Sequence, residues 1–207
     1  MRQSEPMPAP QALLFDLGGV LVDVDFSRAL SAWLPHSSLP AGELKQRFRF
    51  DGAYERHERG EIDAHTYFDH LRSTLHLSAS YEEIARGWNA IFVREITATR
   101  LLVQAARQAL PCYAFTNTNA THMACWTALF PQVFTAFDRV FASFEIGLRK
   151  PERAAFEHIW HATGMAASSI LFFDDSAENV QGASAAGLQT VWVRSPEDVA
   201  VSLRSLR

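Results

Sequence analysis

Cysteine is scarce in this chain: Cys112 and Cys125 are its only two among 207 residues, and they form neither a C-x-x-C pair nor a zinc-ribbon spacing. That excludes a disulfide framework, and two isolated thiols fit a reducing compartment. Positive charge is also in short supply. With a net charge of -4 and an isoelectric point near 6.0, no whole-chain field would draw in a nucleic-acid backbone or an anionic membrane. A phosphorylated ligand therefore needs locally placed cations. No apolar run is long enough to span a bilayer, and the polar, proline-containing start from Met1 to Pro10 lacks the basic-then-apolar order of a secretory signal. A cytoplasmic protein with a flexible tail over residues 1–10 is expected. Internal repeats, heptad runs and low-complexity segments are missing too, so one compact body, a monomer by default, is the starting expectation.

The chain does contain apolar runs alternating with helix-period segments. Leu13-Leu14-Phe15 leads into Asp16 and then Gly18-Gly19, the pattern of a buried strand ending in a permissive loop. From about Phe26 to Ile96, apolar residues recur at helical spacing, as in Leu30, Trp33 and Leu34, then Tyr67, Phe68 and Leu71, then Ile84, Trp88 and Ile91. Beyond this insert the pattern predicts a helix around Arg100 to Ala109, a strand at Cys112 to Phe115, a helix from about Ala120 and a strand at Val140 to Ala142. A helix opening at Pro151-Glu152, a strand at Ile170 to Phe173, a helix from Ala177 to Ala186 closed by Gly187, and a strand at Thr190 to Val193 follow. Such alternation implies an α/β fold with a parallel sheet core flanked by helices. Residues 11–25 and 97–207 would form the core, and residues 26–96 a small helical cap inserted after the first strand.

Ligands of open parallel sheets bind outside the carboxyl ends of the strands. Four polar strand ends appear in chain order: Asp16 in FDLGGVLVD, Thr116-Asn117 in FTNTN, Lys150 in GLRKP, and Asp174-Asp175 in FFDDSAEN. A carboxylate held against phosphorus can form an acyl-phosphate, splitting one hard hydrolysis into two easier steps. That is the role open to Asp16. Transfer also requires the phosphoryl charge to be neutralised, and Asp175, with Asp174, Asp16 and the Gly18 carbonyl, offers hard oxygen ligands for magnesium. Thr116 and Asn117 supply a hydroxyl and an amide for a phosphate, and Lys150 a point charge able to reach both phosphate and nucleophile. Singly, each has an ordinary reading: Asp16 as a helix cap, Lys150 as a solvated loop lysine. The ordered series argues otherwise.

These motifs, in this order around a helical insert, resemble the haloacid dehalogenase superfamily, most of whose members hydrolyse phosphates. FDLGGVLVDVDF, HERGEI, FTNTN, GLRKP and FFDDSAEN together resemble the bacterial α-D-glucose-1-phosphate phosphatases, over about Leu13 to Val193. The resemblance implies a Rossmann-like core and a magnesium-dependent phosphomonoesterase acting on a small sugar phosphate. Asp16 would be the nucleophile, Thr116, Asn117 and Lys150 the phosphate-binding residues, and Asp16, Gly18, Asp175 and Asp174 the magnesium site.

One position departs from the superfamily pattern. Most of its phosphatases carry an Asp two residues after the nucleophile as general acid and base, and here that position is Gly18, whose carbonyl can bind metal but cannot move a proton. An easily expelled leaving group, a neighbouring carboxylate such as Asp23 or Asp25, or a group from the cap could compensate. Two rival functions follow: a phosphate-ligand binding protein without turnover, motivated by Gly18, and a metal-free 2-haloacid dehalogenase, against which the Asp174-Asp175 pair argues. His57-Glu58 lacks the second histidine of H-E-x-x-H, so zinc is not implied. The cap aromatics Trp33, Phe48, Phe50, Tyr54, Tyr67, Phe68 and Trp88 read as helical core, with one or two free to roof the site.

Overall fold

Strands buried on both faces must be apolar on both, and the central ones here are. In the computed structural model, which describes residues 8–206, the strands are β1 (Ala12–Phe15), β2 (Val22–Val24), β3 (Phe92–Glu95), β4 (Cys112–Thr116), β5 (Arg139–Ala142), β6 (Ile170–Asp174) and β7 (Gln189–Trp192). Five of them form a parallel sheet in the order β5-β4-β1-β6-β7. The side-chain period of two sorts its residues. Leu13 and Phe15, Cys112 and Ala114, and Leu171 and Phe173 enter the core on one face. Ala12 and Leu14, Phe115, and Ile170 and Phe172 enter the core on the other.

The insert holds α1 (Ser27–Trp33), α2 (Ala41–Arg47), α3 (Gly52–Glu58), α4 (Ala64–Thr74) and α5 (Tyr81–Asn89). The rest of the chain adds α6 (Thr97–Ala106), α7 (Ala120–Leu129), α8 (Pro131–Phe134), α9 (Ser143–Ile146), α10 (Arg153–Thr163), α11 (Ala177–Ala185) and α12 (Pro196–Arg204). Val103 of α6, Trp126 of α7, Val133 of α8 and Val199 of α12 cover the first face, while Phe156 and Ile159 of α10 and Ala183 of α11 cover the second. The result is the expected α/β sandwich. The cap helices bury a cluster of their own, including Trp33, Tyr67, Phe68, Ile84 and Trp88. Trp33 and Trp88 stack at 6.2 Å, and the Trp33 indole donates to the Ile84 carbonyl at 3.1 Å. Each fully buried large apolar side chain contributes about 1.5–3 kcal/mol.

Several boundaries differ from the sequence expectation. The helix expected to open at Pro151-Glu152 starts at Arg153, because Glu152 is extended (φ -61°, ψ 132°) and flanks the helix. The helix expected at Arg100 to Ala109 lies earlier, at Thr97–Ala106. The insert also ends in a strand: β3 pairs antiparallel with β2, making a flap beside the first strand's loop. Of the tail expected over residues 1–10, positions 1–7 lie outside the described residues, and the Pro8 carbonyl accepts a 2.7 Å hydrogen bond from Gln189.

Candidate active site

The sheet order makes the site. From β1 the chain runs outward through β4 to β5, then returns to the other side of β1 for β6 and β7, so the crevice at the carboxyl end of β1 is a topological switch point. Phe15 is in register with Ala114 on one side and Phe173 on the other. The next residues along β1 and β6, Asp16 and Asp174, therefore stand side by side at the sheet edge. Both are buried.

Lys150, 1% exposed, arrives between them from the loop after α9. Its Nζ lies 2.7 Å from Asp16 Oδ1 and 2.7 Å from Asp174 Oδ2. The Phe115 and Phe172 rings each lie 5.4 Å from the same ammonium. Burial by itself would push the ammonium towards neutrality, but the carboxylates of Asp16 and Asp174 outweigh it and the net direction is up. Asp16 is pushed up to about 7, chiefly by burial, with Lys150 opposing and Asp174 adding to the rise.

Asp174 has both oxygens engaged. Besides Lys150 it accepts from the Ser176 N–H (2.8 Å) and from Asn179 Nδ2, which is 3.0 Å from Oδ1 and 3.1 Å from Oδ2. Asn179 went unassigned from the sequence, yet it sits in the first turn of α11, where a side chain points back at the strand tip. An amide five residues past Asp174, behind the Ser176 cap, was the available signal.

Carboxylate oxygens of Asp16, Asp174 and Asp175 lie within 4.8 Å of one another, and among the described residues no histidine or cysteine joins such a group. Hard oxygen donors around one lysine suit magnesium rather than zinc. Gly19 enforces the cluster's shape. It has φ +70°, and a Cβ there would fall 2.0 Å from Asp175 Oδ2, so a larger residue would displace that carboxylate. At Gly18, by contrast, a Cβ would meet only Val24 Cγ2, at an ordinary 3.4 Å.

Asp16, Gly18, Thr116, Asn117, Lys150 and Asp175 line one cleft of about 780 Å³, and Asp174 lies behind it. The Asn117 side chain clamps Lys150: its Oδ1 accepts from the Lys150 N–H and its Nδ2 donates to the Lys150 carbonyl, both at 2.9 Å. Of the backbone donors near Thr116, the Thr118 N–H is taken by Ser143 Oγ (2.9 Å) and the His122 N–H by Asn119 Oδ1 (3.0 Å). The other carboxylates near the loop split: Asp23 lines the cleft and pairs with Arg94 (3.2 Å), whereas Asp25 accepts from the Ser27 N–H at the start of α1 (2.8 Å).

Phe26, Phe50 and Tyr54 form the cap wall of the cleft, together with Glu55 and Glu58. Phe50 packs on Phe26 at 4.9 Å and on Tyr54 at 4.7 Å while remaining 56% exposed. Trp33, Tyr67, Phe68 and Trp88 are core, as expected. Arg149, next to Lys150, reaches across to Glu58 (2.9 Å) and Glu55 (3.3 Å), and Arg59 bridges back to Glu152. Sequence reasoning missed this seam because Arg149 and Glu58 lie 91 residues apart.

A profile of haloacid dehalogenase-like hydrolases matches residues 10–187, spanning the whole cleft. The chain belongs to that family. Among its relatives, a D-ribitol-5-phosphate phosphatase of Bacteroides thetaiotaomicron is 24% identical over 186 residues, covering 86% of this chain and 89% of the relative. A phosphatase of Mycobacterium tuberculosis is 29% identical over 191 residues, covering 88% and 86%. A haloacid dehalogenase (HAD) family enzyme from Bacteroides thetaiotaomicron, solved with magnesium and inorganic phosphate, superposes with a TM-score of 0.76 at 28% identity, covering 87% of this chain and 92% of that one. The parallel sheet is thus that of a HAD hydrolase. Among the described residues, no helix is long and apolar enough to cross a membrane.

Proposed function

We propose that this HAD hydrolase is a magnesium-dependent phosphomonoesterase for a small sugar phosphate, working through an acyl-phosphate on Asp16. The observation that carries the reading is the single ammonium of Lys150 shared at 2.7 Å by Asp16 and Asp174 at the switch point. It holds Asp16 in one orientation at the floor of an open cleft, as an in-line nucleophile requires. Asp16, the Gly18 carbonyl and Asp175 would hold magnesium, which when bound neutralises charge on the phosphoryl oxygens. Asp174, with both oxygens already engaged, acts through Lys150. Thr116 Oγ1 binds the phosphate, and Asn117 fixes the backbone of Lys150.

Phosphatase relatives support the chemistry. Phe50 and Tyr54 support a ring-bearing leaving group, since aromatic faces stack on the apolar face of a sugar while Glu55, Glu58 and Arg149 are at hand for hydroxyls. α-D-Glucose 1-phosphate, suggested by the motif resemblance, is the first substrate to test. Gly18 favours one second reading, a sugar-phosphate binding protein without turnover. A panel of sugar 1- and 6-phosphates and nucleotides, assayed with magnesium and with chelator, separates the two. Magnesium-dependent phosphate release supports the enzyme, whereas a ligand-induced melting shift without release supports the binder. Chloride release from chloroacetate that persists in chelator would instead favour a dehalogenase.

A further inference from the structure

Gly18 leaves no proton donor on the loop beside Asp16, although the space above it would admit a side chain. Six carboxylates line the cleft: Asp16, Asp23, Glu55, Glu58, Asp175 and Glu178. Asp16 is the nucleophile and Asp175 faces the metal side. Asp23 is tied to Arg94 on the flap. Glu178 is exposed, and Glu55 is half-exposed and paired with both Arg149 and Arg59. Glu58 is the most buried of the six, 3% exposed against 8% for Asp16, although it lines the cleft. Arg149 holds its Oε2 from Nε and Nη2, both at 2.9 Å.

We propose that Glu58 is the proton-transfer residue of this hydrolase, a carboxyl on the cap wall that replaces the acid missing at position 18. The inference rests on the phosphomonoesterase reading. In the first half-reaction an Asp16 oxygen attacks phosphorus, the bond to the leaving oxygen breaks, and the Glu58 proton passes to that oxygen to give the alcohol. In the second, water attacks the same phosphorus, the bond to Asp16 breaks, and the proton lost by water returns to Glu58 as phosphate leaves. The groups acting on Glu58 are Arg149, the Tyr54 hydroxyl and Lys150. Burial pushes its carboxyl up against these three, which favours a group that exchanges protons.

Its place is mechanically defined. Gly60, two residues beyond α3, has φ +69°, and a Cβ there would lie 2.4 Å from the Phe144 carbonyl, so the end of α3 is seated directly on α9. With the Arg149 contacts, this fixes Glu58 relative to the loop that presents Lys150.

The test compares wild type and E58Q on two esters with magnesium present: a sugar phosphate, whose leaving alkoxide needs a proton, and p-nitrophenyl phosphate, whose phenolate does not. E58Q is expected to lose about 10²–10⁴-fold in turnover of the sugar ester. With the nitrophenyl ester it should release a stoichiometric burst of nitrophenolate at close to the wild-type rate and then stall, because water is no longer activated. An equal loss of burst and sugar-ester turnover, or no loss in either, overturns the proposal. If E58Q does not fold, Glu58→Asp gives the same comparison, with a loss in sugar-ester turnover beside a nitrophenolate burst at close to the wild-type rate expected, and an equal loss of both or none contradicting it. Wild type inactive on both esters would instead sink the phosphomonoesterase reading itself.

Discussion

Asp16 and Asp174, at the tips of adjacent strands, share one ammonium: Lys150 Nζ lies 2.7 Å from an oxygen of each. Two buried carboxylates so close repel unless a cation sits between them. The lysine thereby holds the floor of the site together while orienting Asp16, the proposed nucleophile.

Replacing that cation tests both roles. Lys150→Met removes one partner of a buried ion-paired group, which costs about 3–5 kcal/mol. Urea unfolding is expected to show a loss of that order. Phosphate-ester turnover should fall by more than about 10²-fold even where the variant is fully folded, because an electrostatic partner of the transferring group is gone.

Phe50 tests the cap's contribution. Being more than half exposed, it adds little to the fold, and Phe50→Ala should alter stability by no more than about 0.5 kcal/mol. An aromatic contact is worth about 0.5–1.5 kcal/mol, so KM for a hexose phosphate should rise by roughly 2- to 10-fold. KM for glycerol phosphate, which has no ring to stack, should stay as in wild type.

His122, on the wall of the same cleft, makes stability depend on pH. It is buried where α7 meets the cap, stacked on Trp88 at 4.4 Å, with its Nε2 bonded to the Trp88 carbonyl (3.0 Å). Burial pushes its pKa down to about 3, with neighbouring His57 acting in the same direction. A histidine depressed in the folded state protonates first in the unfolded chain, so stability is intact above the ordinary value of 6.5 and falls as pH drops from there towards 3. Between about pH 7 and pH 5, wild type should lose about 2 kcal/mol more than His122→Gln in urea titrations. Equal losses would assign the acid sensitivity elsewhere.

Much of this arrangement was legible in the sequence because it is local. Leu13-Leu14-Phe15 before Asp16 and Ile170 to Phe173 before Asp174 read as buried strands, and strand ends in a parallel sheet must converge. What stayed hidden depends on distant partners. Phe92–Glu95 has no clean alternation and forms a strand only because β2 lies beside it, with Arg94 bonded to Asp23 71 residues away. Asn117 read as a phosphate ligand, since nothing local reveals that its amide faces the Lys150 backbone. Glu58 stood out only within HERGEI, with no chemical role until Arg149 came into view across the cleft.

Asp16 is the proposed nucleophile. Phosphate release by Asp16→Asn, measured beside wild type on the best ester of the panel in the presence of magnesium, is the most direct test. With the fold verified by circular dichroism, the variant should release no phosphate above background, whereas turnover at the wild-type rate would contradict the mechanism.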